Sequence, residues 1–221
     1  MLKIVVYDGG YGGEAFADQL EESLPVVEII RVIDWRSSDK LLKSPKSARH
    51  TALETLRPYI GRVDLIILAN HLLATTSLKY FTRKFKNQKF IGLKLPELDT
   101  FVARPTIILS TRALSKTINY HNYLFRLRRK ANTICLDDWL PLIDDGELTN
   151  RMINRELSRF CTKYHYTPTE VILACSHFHD IAPNLRKLMG QNLKIHDSFE
   201  NTIRDACKVL KIRGGTGVKI H

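Results

Sequence analysis

Short apolar runs alternate along the chain with longer stretches in which apolar residues recur at helical spacing. The runs fall at 2–7, 26–33, 65–68, 90–93, 106–109, 133–136, 171–174 and 193–196, and each predicts a buried strand. The intervening stretches predict helices over 14–24, 48–59, from 71 through 85, and over 113–131, 149–164, 180–189 and 198–210. The last helix is expected to be capped by Asp197 or Ser198. Residues 34–47 read as polar and irregular, with a turn at Ser44-Pro45, and 141–146 as an acidic loop. Apolar strands alternating with helices describe an α/β chain whose parallel strands are walled by helices on both faces.

Two of the runs are copies of one another. Asp64 to His71 and Glu170 to His177 share an order: acidic residue, apolar run, small residue, polar residue, histidine. Superposing His71 on His177 sets Ala69 opposite Cys175. A repeat of this kind predicts two similar α/β halves with loops converging on one cleft. Cys175 stands at the end of its strand, where ligands of open α/β sheets bind, and His177 is near enough to tune the thiol. The first copy carries no thiol.

The first strand runs into Asp8-Gly9-Gly10-Tyr11-Gly12-Gly13, a tight loop that opens a helix. Such a helix start offers backbone N–H groups to an anion. Gly10-x-Gly12-x-x-Ala15 matches a dinucleotide fingerprint superficially, but the carboxylate of Asp8 would repel a pyrophosphate there.

Composition narrows the classes. The chain has 221 residues, 44% hydrophobic, enough for one large or two small α/β domains. No apolar run approaches a membrane span and no secretory signal opens the sequence, so a soluble, cytoplasmic protein is expected. Cys135, Cys161, Cys175 and Cys207 are scattered and read as reduced thiols. The net charge is +11, concentrated in Arg126–Lys130 and in 79–89. That excess suits an anionic ligand; nucleic-acid binding is not expected, because interleaved aromatics and glycines are missing. Cys175-x-His177-x-His179 has metal-like spacing, but alternate residues on one turn do not converge, so no metal site is expected.

Taken in order, Asp8-Gly9-Gly10-Tyr11-Gly12-Gly13, Ala69-Asn70-His71, Ser110-Thr111, Pro141-Leu142-Ile143-Asp144, Cys175-Ser176-His177 and His196-Asp197-Ser198 resemble the aspartate/glutamate racemase superfamily over nearly the whole chain. The closest likeness is to glutamate racemases, which carry Asp-Ser-Gly-x-Gly-Gly, Cys-Asn-Thr, Pro-Leu-Val-Glu and Cys-Thr-His. The resemblance implies two pseudo-twofold-related α/β domains, expected over 1–95 plus 194–221 and over 96–193, with the active site in the cleft between them. It implies no cofactor, and two cysteines that exchange a proton with the substrate's Cα from opposite sides. Carried over by position, Cys175, His177 and Asp8 are the catalytic candidates and Ala69 fills the first cysteine's place. Gly9, Asn70, His71, Ser110, Thr111 and Ser176 are the substrate-binding candidates. Ala69, Gly9, His71 and Leu114 depart from the family pattern, and Asp144 replaces a glutamate.

The expected activity is a cofactor-independent racemase-type reaction on a small acidic amino acid, glutamate or aspartate, through Cys175. Two other readings stay open: a non-catalytic or regulatory binding protein on a racemase scaffold, and a one-cysteine decarboxylase-like enzyme. A homodimer is one assembly open to the chain.

Overall fold

The structure is a computed structural model that describes residues 1–98, 104–127 and 131–212. Its elements follow in the order β1 (Leu2–Asp8), α1 (Tyr11–Ser23), β2 (Val27–Ile33), α2 (Ser38–Lys43), α3 (Pro45–Leu56), β3 (Leu65–Leu68), α4 (His71–Lys84) and β4 (Phe90–Gly92). The chain continues through β5 (Thr106–Ser110), α5 (Arg112–Ser115), α6 (Ile118–Leu127), β6 (Ala131–Cys135), α7 (Trp139–Asp144), α8 (Asn150–Tyr164), β7 (Glu170–Leu173), α9 (Ala182–Met189), β8 (Lys194–His196) and α10 (Phe199–Leu210).

Two compact units result, one made of Met1–Lys94 with the segment from Ser198 onward, the other of Leu95–Asp197. Each holds a four-stranded parallel sheet with helices on both faces. The strand orders are β2-β1-β3-β4 and β6-β5-β7-β8, the same arrangement twice. The internal repeat is thus topological as well as local, with β3 and β7 in equivalent places. In both sheets the order reverses beside the first strand, which leaves a crevice at the carboxyl ends of β1 and β3 and another at those of β5 and β7. The strands fit that burial. Leu65 to Leu68 and Val171 to Leu173 are fully or almost fully inaccessible, as continuous apolar runs in doubly covered parallel sheets must be.

In the first unit, Ile4, Val6, Ile67 and Ala69 on one sheet face pack with Phe16, Ala17 and Leu20 of α1 and with Phe199, Ile203 and Ala206 of α10. The rings of Phe16 and Phe199 meet edge to face at 5.1 Å. Because α10 supplies so much of this core, the unit is closed by the end of the described chain.

Several local expectations are corrected. Residues 34–47 are ordered into a 3-10 turn at Trp35–Ser37, α2 and the start of α3. Ser44-Pro45 is the cap and first residue of α3: Ser44 Oγ accepts from Ser47 N at 3.2 Å. The helix expected over 113–131 is two helices. Thr117 separates them, its hydroxyl donating to the Leu114 carbonyl at 2.8 Å while accepting from Tyr120 N at 3.2 Å. Residues 128–130 of that basic stretch lie outside the described residues, as do 213–221. The acidic loop at 141–146 is largely α7, which tolerates Pro141 in its first turn because no intrahelical partner is needed there. The helix expected from 180 begins at Ala182, after a 3-10 turn over Ser176–His179. Ser198 precedes α10 but makes no side-chain cap. Strand β8 pairs with β7, and residues 194–197 fall in the second unit.

Candidate active site

In the first unit, β1 and β3 end side by side and their loops are cross-linked. Asp8, fully buried, accepts Gly9 N–H at 2.7 Å and Asn70 Nδ2–H at 3.0 Å on the same oxygen. A buried carboxylate needs such donors, since its desolvation is otherwise uncompensated. Asn70 also caps α4, its Oδ1 accepting Leu73 N–H at 3.0 Å. Gly13 holds this arrangement tightly: a Cβ there would lie 2.4 Å from Cβ of Asp8 and 2.9 Å from Cδ1 of Ile33. Tyr7, just below, is buried, and burial, followed by the charge of Asp34, pushes its phenol well above the ordinary range.

Ala69 is fully buried and part of the apolar cluster with Ile67, Leu93 and Phe199. His71, the first residue of α4, is 4% exposed. Its Nε2 lies 2.9 Å from Ser198 Oγ, and that hydroxyl donates to the Lys94 carbonyl.

In the second unit, β5 ends in the buried Ser110 and Thr111. Ser110 Oγ donates to the Thr111 carbonyl at 3.3 Å, and Thr111 Oγ1 caps α5 by accepting Leu114 N–H at 3.4 Å. Beside them, Cys175 follows β7 and Ser176 opens the 3-10 turn, 7% and 2% exposed. Cys175 Sγ is 3.8 Å from His177 Nδ1, and His177 Nε2 is 3.2 Å from Asp144 Oδ1. With the Asp144 carboxylate accepting, the ring carries its proton on Nε2 and presents the Nδ1 lone pair to the thiol. The arrangement gives the thiol hydrogen an acceptor in Nδ1 and the ring an anionic neighbour in Asp144. Asp144 entered the sequence reading solely as a substitute for a glutamate; its contact with His177 was not anticipated.

His179 turns away to Asp197, its Nδ1 3.2 Å from Oδ2. The alternating Cys-His-His spacing therefore spreads its three side chains. Among the described residues, no group of three or more His, Cys, Asp or Glu is placed to hold a metal ion, and no helix is long and apolar enough to cross a membrane. The four cysteines are free thiols, with Cys135 exposed.

No family model matches the chain. In sequence it is similar to the glutamate racemase of Microcystis aeruginosa, 24% identical over 221 residues that cover 96% of this chain and 77% of that protein. It is likewise 26% identical to a glutamate racemase of Helicobacter pylori over 196 residues, 82% of this chain and 74% of that one. Among solved structures, Escherichia coli glutamate racemase, held in complex with L-glutamate and an activator, matches with a TM-score of 0.83 at 19% identity, over 100% of this chain and 86% of that one. Picrophilus torridus aspartate racemase matches with a TM-score of 0.63 at 16% identity, over 97% and 95% of the two chains. These structural likenesses establish the two-domain α/β fold.

Proposed function

We propose that this chain, related in sequence and fold to the aspartate/glutamate racemase superfamily, moves a proton at Cα of a small acidic amino acid with Cys175 as the acid/base group. The observation that carries the reading is the relay Cys175–His177–Asp144. Asp144 fixes the tautomer of His177, His177 takes the thiol proton, and the thiolate removes the hydrogen on Cα. The electron pair of that bond passes into the neighbouring carboxylate, whose growing charge needs fixed donors. The backbone N–H groups and hydroxyls of Thr111 and Ser176, just past the ends of β5 and β7, are candidate donors. The net charge of +11 favours an anionic substrate.

The test is incubation with the L- and D-forms of glutamate and aspartate in deuterated water. Deuterium enters Cα with the wild-type protein and not with Cys175→Ala. If the wild type leaves Cα unlabelled on every one of these substrates, the reading is wrong. Burial of Ala69 in the core favours a second reading, a ligand-binding protein without turnover. It requires thermal stabilisation by the same amino acids with no label incorporated.

A further inference from the structure

We propose that the second unit binds single-stranded nucleic acid along α8 and the groove that α8 borders with β6. The proposal is independent of the proton-transfer reading, and every residue of the surface belongs to the second unit.

Helix α8 carries Arg151, Arg155, Arg159 and Lys163, a cation at every fourth position along its length. All four are exposed, while Ile153, Leu157 and Phe160 form the buried side of the helix. Residues four apart share a face and rise about 6 Å along the axis, so the four cations make a row about 18 Å long. Among the described residues, Arg159 alone of the four has an ion-pair partner, Glu156 at 3.2 Å. Like charges at this spacing repel and cost the helix stability, which an external anion would recover. Helix α9 adds the exposed Arg186 and Lys187, and it is tied to the start of α8 where Asn184 Nδ2–H donates to Asn150 Oδ1 at 2.7 Å. A regular row of cations suits an anion that repeats regularly, and a phosphodiester backbone carries one fixed charge per nucleotide.

Beside the row, α8 and β6, an outermost strand of the second sheet, border a groove of about 260 Å³. Thr133 and Cys135 line its strand side; Glu156, Arg159, Lys163 and Tyr164 line its helix side. Tyr164 is half-buried and backed by the buried Phe160, ring centroids 4.6 Å apart, so its ring is a fixed surface for stacking. Lys163 Nζ lies 5.2 Å from the centre of that ring. Cations along an aromatic-lined groove hold a single strand, with phosphates on the row and unstacked bases in the groove. A duplex can use the row, but its paired bases cannot enter the groove. Among the described residues, no exposed large apolar side chain stands on α8 or α9, so a lipid surface has nothing there to insert. The densest basic stretches of the sequence, 79–89 and 126–130, are not part of this surface. In the first of them Lys84 Nζ donates to the Tyr80 hydroxyl at 3.0 Å and Lys89 Nζ to the Val209 carbonyl at 3.2 Å.

The probe is a fluorescein-labelled DNA oligonucleotide of mixed sequence, about 12 nucleotides long, followed by anisotropy at rising salt with no amino acid present. Wild-type protein is expected to bind at about 50 mM salt, with log affinity falling against log salt by about 0.7 for each cation engaged and about 3 for the whole row. Arg151→Ala and Arg155→Ala should each lower that slope by about 0.7, and Arg151→Glu with Arg155→Glu should weaken binding about 100-fold. Tyr164→Leu, which keeps an apolar contact for Phe160, should weaken it about 10-fold with the slope unchanged. Lys79→Glu with Arg83→Glu should leave affinity close to that of the wild type. The proposal is overturned by any of four results: no binding at low salt, binding indifferent to the α8 substitutions, tighter binding of the same sequence as a duplex, or binding of phosphatidylserine vesicles in place of the oligonucleotide. Each of them leaves the role of Cys175 standing.

Discussion

A Cβ on Gly9 would sit 2.5 Å from Cδ1 of Leu41 and 3.3 Å from Cα of Ser38. Leu41 is fully buried, so α2 lies directly on the first loop and fills the space where the resemblance places a serine side chain. The missing hydroxyl at position 9 is a packing consequence: Leu41 and Gly9 are one fitted pair. Gly9→Ser is expected to destabilise the protein by about 1–3 kcal/mol through overpacking. Gly9→Ser with Leu41→Ala should recover part of that loss, as read from urea denaturation midpoints.

Asp144 sets the tautomer of His177 without touching the thiol. Asp144→Asn removes the charge that stabilises the imidazolium. Label incorporation at Cα should fall by about 10²–10⁴-fold, the scale of an acid/base contribution. Asp144→Glu, which keeps a carboxylate beside His177, should retain more activity than the asparagine variant.

Asn70 supports two structures at once, the start of α4 and the Asp8 carboxylate. Asn70→Ala loses a cap, about 1 kcal/mol, and leaves a buried charge short of one donor, a further 1–3 kcal/mol. Asn70→Asp preserves the cap acceptor but sets a second carboxylate against Asp8. Two such groups cannot both ionise cheaply, so this variant should regain stability as pH falls from 7 toward 5. Denaturation at the two pH values checks the sign.

The phenol of Tyr120 is pushed up to about 12, chiefly by burial, from an ordinary value of 10. Its hydroxyl lies 2.7 Å from Thr133 Oγ1. Below pH 10 the folded and unfolded chains are both protonated there and stability is indifferent to this group. Between 10 and about 12 the unfolded chain releases the proton first, so stability falls as pH rises. Tyr120→Phe should flatten that alkaline limb in chemical denaturation experiments.

The regular parts of the fold were legible because burial on both sheet faces writes itself as continuous apolar runs. The copies ending in His71 and His177 could be aligned by eye, and they proved to be equivalent strands of two sheets with one order. What the sequence concealed was local punctuation and long-range contact. Pro45 and Pro141 looked like breaks yet stand in the first turns of helices, where a missing N–H costs nothing. Thr117 looked like an ordinary helix residue yet ends one helix and caps another. The bond from His71 to Ser198 spans 127 positions, and no spacing rule reaches that far. Asp144 could be lined up with a family motif, but its partner ring was supplied by the fold.

The core beneath β1 and β3 is completed by Phe199, Ile203 and Ala206, near the far end of the described chain. During synthesis, this sheet must therefore wait, its apolar face covered only in part by α1, until the second unit has been translated. The later sheet has all its strands in one uninterrupted segment and can collapse sooner. The interrupted half is the one that stands to gain more from a chaperone.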